Sequence, residues 1–204
     1  MGLKFYVGEA QARASQAAQL NSHASQAMAS LQQSIQSFLS APLSGKAYDL
    51  AKNYFMVAYT PLCRSAIMTG EALEAAHKKF LSEYQSTVSS IDLDEDQLLE
   101  EIQRGEQLLQ QIDHLISTAK TQRPDLKRRG MNAYDAIQKQ REKLEKFHDY
   151  NVRSGSFFSE YQASQQEFNA GIAQVEGCKA WNAYTGTFDI SKLDMNWAKP
   201  ITTR

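Results

Sequence analysis

Little in this sequence would stop a helix. Its 204 residues contain only four prolines (Pro42, Pro61, Pro124 and Pro200), so long stretches are free of the residue that removes a backbone donor and clashes with the preceding turn. Cysteine is equally scarce. Cys63 and Cys178 stand alone without a CxxC pairing, which excludes a disulfide framework and leaves both expected as packed thiols. No long apolar run exists: the longest, Tyr54 to Tyr59, falls far short of the roughly 20 residues that span a bilayer, so no stable membrane insertion is expected. Charge of one sign is missing too. The 22 Lys and Arg against 23 Asp and Glu give a formal net charge of -1, without the basic footprint of a nucleic-acid binder. Met1 to Ala14 lacks an apolar core flanked by basic residues, so no cleaved signal peptide is expected. Gly2 is no acylation site, because Tyr6 stands where Ser or Thr is needed.

What is present is rich in Ala, Gln, Glu, Lys and Leu, which lose little entropy in a helix. Ala17, Leu20, Ala24, Met28, Leu31, Ile35 and Phe38 recur at steps of three and four, placing one apolar stripe on a first helix over about 7–40. The opposite face is mostly Ser and Gln, so packing of the stripe must hold this helix. After the break Ser40 to Gly45 a second helix is expected over 45–88, kinked by Pro61 near Ala58 to Thr60. Ser44 is its predicted N-cap, Leu43 and Tyr48 its predicted hydrophobic staple. The break then becomes a helical hairpin turn in which Gly45 permits close approach of backbones.

Asp92 to Asp96 alternates carboxylates as an EF-hand loop does, but Gln97 replaces the required Gly and Gln103 the bidentate Glu. The stretch reads instead as the start of a third helix over 94–121, with Asp94 as cap and Gln97 completing a capping box. Leu98, Ile102, Gly105, Leu109, Ile112 and Ile116 then form a short heptad seam suited to antiparallel packing. A fourth helix is expected over 125–153, burying Tyr134, Ile137, Leu144 and Phe147. A fifth follows over 155–177 with Phe158, Tyr161, Phe168, Ile172 and Val175. Residues 178–204 lose periodicity and read as an irregular tail whose Trp181, Tyr184, Phe188 and Trp197 fold back onto the bundle. The expected class is all-α, an elongated bundle of long amphipathic helices in a single domain.

No catalytic set is complete, and no enzyme activity, metal or cofactor is expected. His23, His77, His114 and His148 lie in four separate helical stretches without zinc-ligand spacing. Ser44 to Ala47 resembles the end of a phosphate loop but lacks the upstream Gly and the Ser or Thr after Lys46. Gly155-Ser156 is followed by Phe158-Ser159, not by the Gly of a nucleophile elbow. Lys127 to Arg129 reads as a solvated helix face. Tyr54, Phe55 and Tyr59 read as helix–helix contact, open to completion by another chain.

The segment Leu43-Ser44-Gly45-Lys46-Ala47-Tyr48-Asp49-Leu50-Ala51-Lys52-Asn53-Tyr54-Phe55 resembles the signature of the LXG domain family. Glu71 to Phe80, Tyr84-Gln85 and Asp92 to Asp96 are similar to its succeeding blocks in order and spacing. Gly186-Thr187-Phe188 and Leu193 to Ala198 resemble its closing block. The resemblance implies the N-terminal targeting domain of an interbacterial toxin that is made in the bacterial cytoplasm and exported without a signal peptide by the type VII secretion system. The toxin domain would then follow Arg204. It also implies small α-helical WXG-like helper proteins and the secretion machinery as partners. Leu43, Ser44 and Gly45 are the motif positions. Leu20, Met28, Leu31, Ile35, Phe38, Tyr48, Tyr54 and Phe55 are the candidate partner contacts. A Tyr or Phe followed four residues later by Asp, an export mark of related substrates, has no match here; Phe5 to Glu9 has only the spacing. The alternative is a membrane-active or pore-forming helical domain, against which the Ser and Gln face of the first helix, poor in Lys and Arg, argues.

Overall fold

The computed structural model describes residues 2–203. In chain order the elements are β1 (Lys4–Phe5), α1 (Val7–Ser40), α2 (Lys46–Tyr54), a π-helical turn (Phe55–Tyr59), α3 (Thr60–Thr87), β2 (Leu93–Asp94), α4 (Glu95–Thr118), α5 (Pro124–Ser154) and α6 (Ser159–Val175). The C-terminal stretch then adds β3 (Trp181–Asn182), β4 (Thr187–Phe188), two 3-10 turns (Ile190–Lys192 and Asn196–Ala198) and α7 (Lys199–Thr203). The class is all-α, with strands of two residues. The chain forms two compact units, Met1–Ala12 with Lys79–Ser156, and Arg13–Lys78 with Phe157–Arg204.

In the first unit α4 and α5 pack antiparallel along the heptad seam. Leu98, Ile102 and Ile112 of α4 and Leu126, Ile137 and Phe147 of α5 are buried, as knobs at a and d positions should be. Partners rise along one helix as they fall along the other: Glu95 meets His148, Glu101 meets Gln140, and Ile112 lies against Gly130. Gly105 sits where a Cβ would come within 2.8 Å of Ile137 Cγ1, so this glycine serves close helix approach. Tyr134 does not join the buried face; it is 53% exposed. Tyr150, three residues beyond Phe147, takes a place in the core instead.

A strap closes the root of this hairpin. β1 pairs antiparallel with β2, Lys4 opposite Asp94 and Phe5 opposite Leu93. Phe5 is thereby inserted among Phe80, Tyr84 and Tyr150, stacking on Tyr84 at 3.6 Å between ring centroids. Burying such a ring contributes about 1.5–3 kcal/mol. The Tyr84 hydroxyl donates to Ile91 O at 2.8 Å and the Tyr150 hydroxyl to Phe80 O at 2.7 Å, so neither buried phenol is left unpaired. Burial pushes Tyr84 up to about 12 and Tyr150 higher still.

In the second unit helical backbone runs without a break from Lys46 to the unit's boundary at Lys78. The kink expected near Pro61 takes the form of the π-helical turn Phe55–Tyr59 just before it. Proline has no N–H to give and crowds the carbonyl four residues back, and one wider turn accommodates both effects. Two hydrophobic clusters form this unit's core. One joins Tyr54 and Ala58 to Ala180 and Leu193, the other Leu62 to Trp197, Ala198 and Ile201. Gly171 leaves room for both Leu62 and Trp197, each 2.8 Å from where its Cβ would lie.

The tail is irregular, as expected, and is tied down by short elements. β3 and β4 form a hairpin, Trp181 opposite Phe188. Its turn is fixed by Asn182 Oδ1, which accepts from the Tyr184 and Thr185 amides, and by Gly186 at φ +64. Phe188 stacks on Tyr54 at 4.3 Å, and Trp197 is buried. Tyr184, expected to fold back as well, is 98% exposed at the hairpin tip. Cys63 is a buried thiol whose pKa burial raises. Cys178, expected to be packed, is exposed in a left-handed conformation at φ +44 that ends the helical turn after α6.

Candidate interaction surface

The turn at Leu43 to Gly45 is held by a cation. Lys52 Nζ donates to Ala41 O at 2.7 Å and to Leu43 O at 3.1 Å, giving two carbonyls of the turn a partner. The N-cap of α2 is Gly45, not Ser44, and no side chain caps this helix. Gly45 has φ +114 and ψ 156, a region that only glycine enters without strain. Nothing lies within 4 Å of where its Cβ would be, so the glycine is required by backbone conformation and not by close approach. Leu43 and Tyr48 are both exposed and form no closed staple. The motif therefore presents two apolar side chains around a glycine-specific bend.

The α1 stripe is divided between core and surface. Ala17 and Ile35 are buried, Ala24, Met28, Leu31 and Phe38 are half-buried, and Leu20 is 62% exposed. Phe38 meets Phe55 edge-on at 5.5 Å. Of the predicted contact residues, Ile35 and Tyr54 are buried within this chain's own fold and are withdrawn from the free surface. Burial pushes the Tyr54 hydroxyl up to about 12. Leu20, Tyr48 and the half-buried Met28, Leu31, Phe38 and Phe55 keep accessible surface, and Met56 adds to them. Met56 follows the aromatic pair directly and could have been named with it.

The acidic segment 92–96 is a helix start, and it does more than cap its own helix. Asp94 Oδ1 accepts from the Asp96 amide at 2.9 Å. The remaining carboxylates bind the N-terminal strap. Asp92 Oδ1 accepts from the Val7 amide at 2.8 Å, Glu95 Oε2 from the Leu3 amide at 2.6 Å, and Asp94 Oδ2 from Lys4 Nζ at 2.6 Å. Asp92 thus caps α1 from 85 residues away. The Lys4 ammonium holds Asp94 below the usual carboxylate range, and the Leu3 amide, with His148, does the same for Glu95. In the Phe5 to Glu9 spacing the Phe5 ring itself is buried.

None of the chemistry-bearing residues converge. His23 and His114 are exposed, His148 pairs with Glu95, and His77 lies edge-on to Phe158, its pKa lowered by burial and by Arg13. Among the described residues no group of three or more His, Cys, Asp or Glu could hold a metal ion. No described helix is long and apolar enough to cross a membrane. What the surface offers is contact area: Leu20, Leu43, Tyr48, Met56 and Tyr184 on the second unit, and Leu108, Leu115, Met131 and Tyr134 on the first. Leu108 and Leu115 flank the α4 seam seven residues apart, a signal that a heptad reading contains but that a seam-only reading passes over.

The chain is 28% identical over 207 aligned positions to a protein of Bacillus cereus named "Toxin". That alignment takes in 98% of the chain but 37% of the toxin, so the chain spans little more than a third of that relative's length. The family model described as "LXG domain of WXG superfamily" matches residues 4–128, from the strap through α4 into the start of α5. With the glycine-dependent bend and the acidic helix start both inside the matched region, the chain belongs to the LXG domain family.

Proposed function

We propose that this chain is a non-enzymatic secretion-targeting and interaction domain of an antibacterial toxin. In this reading small helical helper proteins bind the apolar helix faces, and together they form the signal that the type VII secretion system exports without a signal peptide. The whole chain, including the C-terminal hairpin outside the family match, acts as one targeting domain, with the toxic activity carried elsewhere in the toxin. The observation that carries the reading is the family match across residues 4–128. The physical support is that α1, the turn after it, α2 and the adjoining π-helical turn leave Leu20, Leu43, Tyr48 and Met56 respectively exposed after the chain has folded. Helix-in-groove binding through residues three and four apart is the mode such faces suit.

Export of the toxin carrying Leu20→Asp tests this. Leu20 is exposed, so the change spares the fold while placing a charge on the contact face. The toxin is expected to accumulate in cell extracts and to fall in the culture supernatant. Undiminished export of that variant and of Tyr48→Asp would remove α1 and α2 from the signal.

A further inference from the structure

We propose that the tip of the α4–α5 hairpin is a docking cleft for one amphipathic helix of a partner protein, entering with apolar side chains flanked by a basic residue. The cleft, about 440 Å³, is floored by Leu109, Ile116, Gly130, Met131 and Tyr134. Gly130 gives it depth. An added Cβ there would meet only Ile112 at 3.5 Å and Leu109 at 3.9 Å, so the missing side chain is not required for close helix approach.

The flank on which the cleft opens changes character along its length. Glu106 and Asp113 lie seven residues apart on α4, and Lys127, Tyr134, Arg141 and His148 recur at sevens on α5, so all share one flank. Toward the root this flank is sealed by the ion pair of Glu106 with Arg141 and by the hydrogen bond between His148 Nε2 and Glu95 Oε1. Toward the tip the pairing stops. Asp113, Asp135 and Lys127 line the cleft, and none of them forms an ion pair among the described residues. Two carboxylates against one ammonium favour a partner that brings positive charge. Met131, 69% exposed, and Tyr134 beside it supply the adaptable and the rigid apolar contacts that binding surfaces favour.

The partner's identity rests on the helper reading above; the cleft's location does not depend on the α1 surface. The test uses the full chain co-expressed with the small helical proteins encoded beside its gene, with Kd then measured by calorimetry. Met131→Asp and Tyr134→Asp, both at exposed positions, should each weaken the complex about tenfold or more. The double reversal Asp113→Lys with Asp135→Lys should weaken it several-fold, the loss shrinking in high salt. A complex unmoved by these changes but broken by Leu20→Asp would overturn the cleft and leave the helper reading standing. Absence of any complex with the unaltered chain would overturn both. A dimer of the chain that persists in the presence of those small proteins and that Met131→Asp dissolves would assign the cleft to a second copy and overturn the partner helix.

Discussion

The α4–α5 hairpin is built differently at its two ends. At the root, where α4 begins and α5 finishes, a third and a fourth element complete the core: Phe5 from the strap and Phe80 and Tyr84 from α3 surround Tyr150. At the tip α4 and α5 meet, and two helices can bury a seam but not their flanks. Met131, Tyr134 and Leu115 are accordingly exposed there. The same antiparallel pairing is thus a finished core at one end and leaves apolar side chains exposed at the other. What separates them is whether other segments of this chain arrive.

The largest test of that difference is Phe5→Ala, which should destabilise the protein by about 3–5 kcal/mol, as truncating a buried Phe does. Met131→Ala at the tip should stay within about 0.5 kcal/mol of zero. Denaturant unfolding of the two variants gives both figures. Glycines offer a second contrast. Gly105→Ala drives a methyl into Ile137 and should cost about 1–3 kcal/mol, whereas Gly130→Ala finds ordinary contact and should gain about 0.5–1 kcal/mol from reduced chain entropy.

Smaller effects concern the strap itself. Asp92→Ala removes the cap of α1 and should cost about 1 kcal/mol, with faster hydrogen exchange at the Val7 amide as its local mark. Acid should loosen the same contact region. Asp94 and Glu95 have folded-state pKa values below their ordinary 3.8 and 4.5, so their contribution is fully present above those ordinary values and is lost as pH falls through the folded ones. Strap amides followed by exchange should lose protection in that window and keep it at neutral pH. Lys4 has the opposite sign: its pKa is raised above 10.5, so its share is present below that value and fades as pH rises past it.

The α4–α5 seam was legible because a two-helix contact writes a heptad into each partner. The cap at Asp94 was legible because it acts two residues away. The strap was not. Its bonds join Leu3 to Glu95 and Lys4 to Asp94 across more than 90 positions or nearly so, and a two-residue strand leaves no alternation to read. Ser44 misled for a related reason: its residue type suits a cap, but the bend needs a glycine conformation at the cap position, and Gly45 takes it. Tyr54 and Ile35 were legible as apolar contacts but not as internal ones. The hairpin ring of Phe188 that covers Tyr54 comes from 134 residues later in the chain. Periodicity identifies a face that must be covered; it does not name the segment that covers it.

The central claim is that the apolar surface left over belongs to partner helices. It is tested most directly by co-expressing the chain with the small helical proteins encoded beside it and measuring mass in solution. A stoichiometric complex is expected, and a chain that self-associates when expressed alone. A monodisperse monomer that ignores those proteins would contradict it.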